Sequence, residues 1–189
     1  MARPPDKKQN TIRINAGEWR SRLIKFPDAE GLRPTPERVR QTVFNWLGQD
    51  LTGQTCLDLF AGTGVMGFEA LSRGAVAVTL VEKSMVAYNA LLANKQLLKA
   101  AHAQILHQDA LQFLAQNTHK FNLIFLDPPY HQQWLVKVLP LLAEHLHAEG
   151  LIYVEAEYAL DTTQEYASHW QVIKQSKAGN VFYHLLKSA

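Results

Sequence analysis

The stretch TCLDLFAGTGVMGFEA, residues 55–70, decides the fold. Residues 55–60 form a short apolar run of the buried-strand kind, and 64–73 continue at helical length. Between them Gly62, Gly64 and Gly67 spell G-x-G-x-x-G. Glycines at such a junction permit a tight turn and let a ligand approach the backbone closely. The helix N-terminus beyond them favours an anionic group.

Moving outward toward the C-terminus, further buried-strand runs occupy 77–81, 103–107, 121–126 and 151–155. Helical stretches lie between them at 84–98, 110–116 and 132–146. Repeated βα units predict a doubly wound, mostly parallel α/β sheet of Rossmann-like type, with helices on both faces. Segments 170–176 and 181–186 flank Lys177-Ala178-Gly179-Asn180, a hairpin signal that predicts an antiparallel C-terminal strand. Toward the N-terminus, 11–16 and 20–26 read as a hairpin around Gly17. Arg33-Pro34-Thr35-Pro36 then opens a helix, with Thr35 as its cap and Pro36 in its first position. Val39, Val43, Trp46 and Leu47 share its apolar face, leaving Arg38 and Gln41 exposed. The first ten residues are expected to be disordered. The expected organisation is a basic N-terminal extension over 1–50, for docking a polyanion, and a catalytic domain over 51–189.

Composition narrows the class. A chain of 189 residues with 47% apolar content can bury a full α/β core. The single cysteine, Cys56, excludes a disulfide framework and a cysteine-based zinc site. It falls in a buried strand and reads as packing. No run approaches a membrane span and no leader pattern opens the chain, so a reducing cytoplasm is expected. The eight histidines show no metal-ligand spacing. Residues 1–40 hold ten Lys/Arg against five acids, net +5, whereas 41–189 hold nine against twelve, net −3. That asymmetry fits a polyanionic partner or a solubilising tail.

In sheets of this kind ligands lie at the carboxyl ends of the strands. Glu82 ends the second strand and can accept from ribose hydroxyls. Asp58, four residues before Gly62, would repel a dinucleotide's pyrophosphate but welcome the α-ammonium of S-adenosylmethionine. Asp109 follows the third strand and can accept from an adenine amino group or cap the next helix. Asp127-Pro128-Pro129-Tyr130 follows the fourth. Two prolines remove two N–H donors and leave carbonyls free as acceptors. The Asp127 side chain and the Pro128 carbonyl can grip the two hydrogens of a planar amine, and Tyr130 can stack on its base, worth roughly 1–3 kcal/mol. No strong general base is needed, because an aspartate of ordinary pKa, about 3.9, already accepts at neutral pH.

These residues resemble the class I methyltransferases of the (D/N)-P-P-(Y/F) type. Residues 12–20 (IRINAGEWR), Arg33-Pro34-Thr35, 39–47 (VRQTVFNWL) and Lys177-Ala178-Gly179 are similar to signatures of one family, the bacterial 16S ribosomal RNA guanine-N2 methyltransferases of the small subunit. Gln41 departs from it, since an acid is common there. The resemblance implies S-adenosylmethionine as cofactor, held by Asp58, Phe60, Gly62, Gly64, Glu82, Lys83, Asp109 and Ala110. It implies catalysis by Asp127, Pro128, Pro129 and Tyr130, and RNA contacts from Arg13, Arg20, Arg33, Arg38 and Arg40. It further implies 16S rRNA in the small ribosomal subunit as partner; from the residues themselves a monomer is expected, with no metal and no membrane. The rival readings are adenine-N6 methylation of DNA, an NAD-dependent oxidoreductase, and a non-catalytic RNA-binding assembly factor.

Overall fold

The computed structural model describes residues 10–29 and 32–189. The disorder expected of the first ten residues falls outside the described set, except at Asn10, which opens a strand. Strands β1 (Asn10–Arg13) and β2 (Leu23–Phe26) pair antiparallel, Asn10 with Phe26 and Arg13 with Leu23. Both are shorter than the runs read from the sequence, because the chain between them leaves the ladder to bond elsewhere. Asn15 and Ala16 donate their N–H groups to the Glu69 carboxylate at 2.8 and 3.0 Å, and Glu18 N–H donates to the Ser72 carbonyl at 2.7 Å. At Gly17, φ is +82°, and a Cβ would stand 1.7 Å from the Ser72 carbonyl oxygen. Only glycine lets this loop press so closely on its neighbour.

Helix α1 (Glu37–Trp46) follows. Thr35 is not its cap: Pro36 holds that position without a side-chain bond, and the Thr35 hydroxyl turns to Glu155 instead. Arg38 and Gln41 are exposed as read. The buried face is Val39, Arg40, Val43 and Phe44, while Trp46 is half-buried and stacks on Tyr183 at 5.4 Å.

The remaining chain alternates. It runs β3 (Thr55–Asp58), α2 (Val65–Ser72), β4 (Ala77–Glu82), α3 (Met85–Leu98), β5 (Ala103–His107), α4 (Ala110–Gln116), β6 (Phe121–Leu126), α5 (Trp134–Val138), β7 (Leu146–Ala156), β8 (Trp170–Ala178) and β9 (Val181–Ser188). The seven-stranded sheet has the order β5-β4-β3-β6-β7-β9-β8. Strands β3 to β7 pair in parallel, and β9 is antiparallel to both its neighbours. This is the doubly wound α/β architecture expected, and the C-terminal hairpin brings in β9 as the strand that runs against the others, β8 running in the same direction as β7. The hairpin between β8 and β9 turns at Gly179, φ +60°, and Ala178 pairs with Val181.

Two departures have simple causes. The helix read over 132–146 splits into α5 and a 3₁₀ turn, Leu139–His145, since Pro140 has no N–H to donate and its ring obstructs the preceding turn. Strand β7 begins at Leu146, five residues before the apolar run, and a register shift opposite Phe121–Leu123 absorbs the extra length.

Period-2 alternation splits the core into two layers. Cys56, Val78, Leu80, Phe125 and Tyr153 pack with β2, α1, α2 and α3 on one face. Leu57, Val81, Ile124 and Val154 pack with α4 and the α5 region on the other. Ile14, Trp19, Val43 and Phe44 belong to the first layer, so the N-terminal residues share the sheet's core. Helix α2 lies between sheet and hairpin and is buried on every side. Glu69, 0% exposed, anchors that contact: besides the two backbone amides it accepts from Arg73 Nη2 at 2.8 Å and stands 3.6 Å from Arg40 Nη1. Cys56 is buried, and burial together with Asp58 pushes its thiol up to about 12, as suits an inert packing residue.

Candidate active site

The site assembles where β3, β4, β5, β6 and β7 end. Asp58 closes β3, and its Oδ2 accepts from Gly67 N–H at 3.1 Å, bracing the first turn of α2. Gly62 (φ +51°) and Gly64 (φ +76°) carry the loop through left-handed backbone that other residues rarely adopt. Gly67 lets α2 settle on β4, where a Cβ would meet Leu80 at 3.0 Å. Glu82 accepts from Gly62 N–H at 2.8 Å and from Ser84 N–H at 2.6 Å, so the acid read for ribose also holds the glycine loop in shape. Each of these carboxylates keeps acceptor capacity beyond the bonds it makes.

Asp109 caps α4 by accepting from Leu111 N–H at 3.0 Å, and its other oxygen pairs with Lys83 Nζ at 3.1 Å on the surface. Ala110 is buried behind it. Phe60 meets Trp134 edge-on, ring centroids 5.2 Å apart, forming an aromatic wall between the glycine loop and α5.

At the end of β6 Asp127 is half-buried, Pro128 buried and Pro129 exposed, while Tyr130 shows 38% of its surface. His131 is 89% exposed at its side chain, with φ +61°; its backbone N–H donates to Glu157 Oε1 at 3.0 Å and its ring Nδ1 stands 3.0 Å from Oε2, tying the loop to the end of β7. Asp127 is not an aspartate of ordinary pKa. Burial first, then the charges of Glu155 and Asp58, hold its carboxyl well above the usual range. Burial likewise lifts Asp58 to about 7; the Gly67 N–H opposes this and Glu82 adds to it. Glu155 is raised by burial, against the opposing bonds from Tyr153 and Thr35. Asp58, Asp127 and Glu155 thus gather at the ends of three strands. Among the described residues the ion pairs involve Arg40, Arg73, Lys83 and His131, and none reaches this acid group.

The sequence placed Asp58, Gly62, Gly64, Glu82, Asp109 and Asp127–Tyr130 at one end of the sheet, and the structure brings them together there. It missed Glu155, Tyr153 and Thr35. The available signal was an acid at the end of the run 151–155, one strand over from Asp127. Of the arginines, Arg13, Arg20, Arg33 and Arg38 are exposed. Arg40 is corrected: it is 1% exposed and donates to the Arg13 carbonyl at 2.9 Å, so its guanidinium is spent inside and is closed to RNA. Trp19 is buried. No group of three or more His, Cys, Asp or Glu suited to a metal occurs among the described residues, and no helix there is long and apolar enough to cross a membrane.

A parallel sheet of this strand order, with a glycine loop after its central strand and Asp-Pro-Pro-Tyr after the neighbouring one, defines a Rossmann-like methyltransferase architecture. The chain belongs to the family described as Conserved hypothetical protein 95, whose model matches residues 12–187. It is 40% identical to ribosomal RNA small subunit methyltransferase D of Escherichia coli K12 over 189 residues, 98% of this chain and 94% of that protein. The solved structure of yhhF from Escherichia coli, a candidate methyltransferase, superposes with a TM-score of 0.85 at 40% identity, covering 95% of this chain and 98% of that one. A candidate SAM-dependent methyltransferase from Streptococcus mutans shares the fold alone, TM-score 0.74 at 18% identity over 99% of this chain and 57% of its own.

Proposed function

We propose that the protein transfers a methyl group from S-adenosylmethionine to the exocyclic N2 of a guanine in 16S rRNA, within the small ribosomal subunit or an assembly intermediate of it. The observation that carries the reading is the acid group Asp58, Asp127 and Glu155, buried or half-buried beside the glycine loop without a cation of the protein's own. Buried carboxylates call for a positive partner, and a ligand with an ammonium and a sulfonium supplies one. A pyrophosphate would add like charge, which disfavours an NAD enzyme. Asp58 would receive the ammonium, the α2 N-terminus the carboxylate, Glu82 the ribose, and Asp109 with Lys83 would border the adenine. Bound there, S-adenosylmethionine supplies an electrophilic methyl group.

The chain's own residues hold the acceptor. Asp127 and the Pro128 carbonyl accept the amine hydrogens, which turns the nitrogen lone pair toward the methyl donor, and the half-exposed Tyr130 stacks on the base. The lone pair would then face the methyl group that a bound S-adenosylmethionine supplies, and Asp127 would take the proton that the methylated nitrogen sheds. Catalysis is positioning and acceptor electrostatics. The exposed Arg13, Arg20, Arg33 and Arg38 would meet phosphates, and residues 1–50 act as the docking part of the molecule. Sequence-specific RNA targets are mostly splayed, unpaired bases, and the 40% identical relative named for the small subunit supports that substrate.

The test supplies labelled S-adenosylmethionine with small subunits lacking the modification, and in parallel naked 16S rRNA, tRNA and DNA, followed by nucleoside mass spectrometry. N2-methylguanosine in subunit RNA is expected. N6-methyladenine in DNA would move the substrate to the duplex, and no label with any substrate would refute the catalytic reading.

A further inference from the structure

One member of the acid group has no part in the reaction as described. Glu155 is 3% exposed, too enclosed to meet a nucleobase. It stands one residue past Val154, which pairs with Leu126 in the parallel ladder, so it occupies the rung beside Asp127. Two donors are committed to it. The Tyr153 phenol donates to its Oε1 at 2.7 Å, and the Thr35 hydroxyl bonds it from the N-terminal segment. The titratable groups around it are Asp127 after β6, Tyr153 on its own strand, Tyr130 in the catalytic loop and Tyr183 opposite on β9, with Asp58 beyond Asp127. None of these is cationic, and among the described residues no lysine, arginine or histidine pairs with Glu155.

We propose that Glu155 is a positioning residue for methyl transfer, holding the Asp127 carboxyl through a proton the two share and linking it through Thr35 to the segment that docks the substrate. The proposal rests on the reading of Asp127 as the amine acceptor. Two carboxyls side by side on neighbouring strands and partly withdrawn from water do not ionise independently, so they titrate as a pair. A shared proton restrains Asp127 on one side and leaves its other oxygen to accept from the amine. At low pH both carboxyls are protonated, and only the loss of the first proton leaves one shared between them, so Glu155 sets the pH at which Asp127 is competent.

Glu155→Gln tests this, because the amide keeps the volume and an acceptor for Tyr153 but cannot ionise. The first readout needs no ligand: thermal unfolding of parent and variant from pH 5 to 8.5. Both carboxyls are raised on folding, so the stability of the protonated pair is complete below the ordinary carboxylate range and lost as pH rises. The variant escapes that loss, and its Tm relative to the parent is expected to climb with pH; a constant difference overturns the pairing. The second readout is kcat for methyl transfer against pH. The acid limb is expected to move to higher pH, because the ionised Asp127 no longer has a carboxyl proton to share, with KM for RNA within about threefold; superimposable limbs overturn the positioning role.

Thr35→Val removes a donor to the charged form and is expected to move the same limb to higher pH. An unmoved limb there breaks the link to the N-terminal segment, and this variant also serves should Glu155→Gln not fold. If the parent methylates no nucleic acid, the functional reading fails, while the unfolding profile still judges the carboxyl pair.

Discussion

Glu69→Gln is expected to loosen the N-terminal hairpin from the body of the protein without changing side-chain volume. Glu69 is wholly buried and serves four groups: the Asn15 and Ala16 amides, Arg73 and, at 3.6 Å, Arg40. Glutamine removes the charge and turns an N–H₂ toward at least one of these donors. Breaking a buried ion pair from one side costs about 3–5 kcal/mol. Both arginines keep other partners. Arg40 still donates to the Arg13 carbonyl at 2.9 Å, and Arg73 still lies over the Phe44 ring at 4.3 Å and reaches Gln49. The lower end, about 3 kcal/mol, is therefore expected. At roughly 2–4 °C per kcal/mol for a domain of this size, Tm should fall by about 6–12 °C. Calorimetry at low and high salt measures this, with hydrogen exchange reporting the two amides. The drop should survive high salt, because buried pairs are poorly screened. A Tm within about 2 °C of the parent, or unchanged protection at Asn15 and Ala16, would refute the anchor.

Three further outcomes are expected. Asp127→Ala should abolish methyl transfer and leave cofactor affinity within a few-fold, measured by calorimetry beside the label assay; full activity would remove Asp127 from the chemistry. Because burial lifts Asp58 to about 7, its protonated form favours folding at low pH, and a cationic cofactor must first displace that proton. Cofactor affinity should therefore rise roughly tenfold from pH 6 to 8 and lose that dependence in Asp58→Asn; a flat parent profile would refute this. Arg38→Glu should weaken subunit binding at physiological salt and spare cofactor affinity, whereas Arg40→Glu should act by destabilising the hairpin contact, seen as a lowered Tm. Equal subunit binding by parent and Arg38→Glu would remove α1 from the docking surface.

The sheet and its ligand-bearing end were legible because both rest on local patterns. Alternating apolar runs, the glycines at 62, 64 and 67, and an acid after each strand all read directly from the chain. Strand β5, strand β6 and helix α4 fall where their runs placed them. What escaped depends on partners distant in sequence. Arg40 looks like its surface neighbour Arg38 until Glu69, twenty-nine positions on, is seen beside it. Thr35 has the residue type and position of a helix cap, yet Glu155 offers its hydroxyl a partner that a local reading cannot weigh. Asp127 reads as an ordinary carboxylate until the parallel register sets Glu155 on the next rung.

The placement of β9 sets a timing problem for the nascent chain. It lies between β7 and β8 in the sheet but follows both in sequence. While residues 157–188 are being made, β7 waits with an open edge and β8 has no neighbour to join. At about 5–20 residues per second that exposure lasts on the order of two to six seconds. An open edge beside apolar residues invites pairing with other chains. Substitutions that weaken β9 should therefore show first as loss of soluble yield during synthesis, before any change in the activity of molecules that complete the sheet.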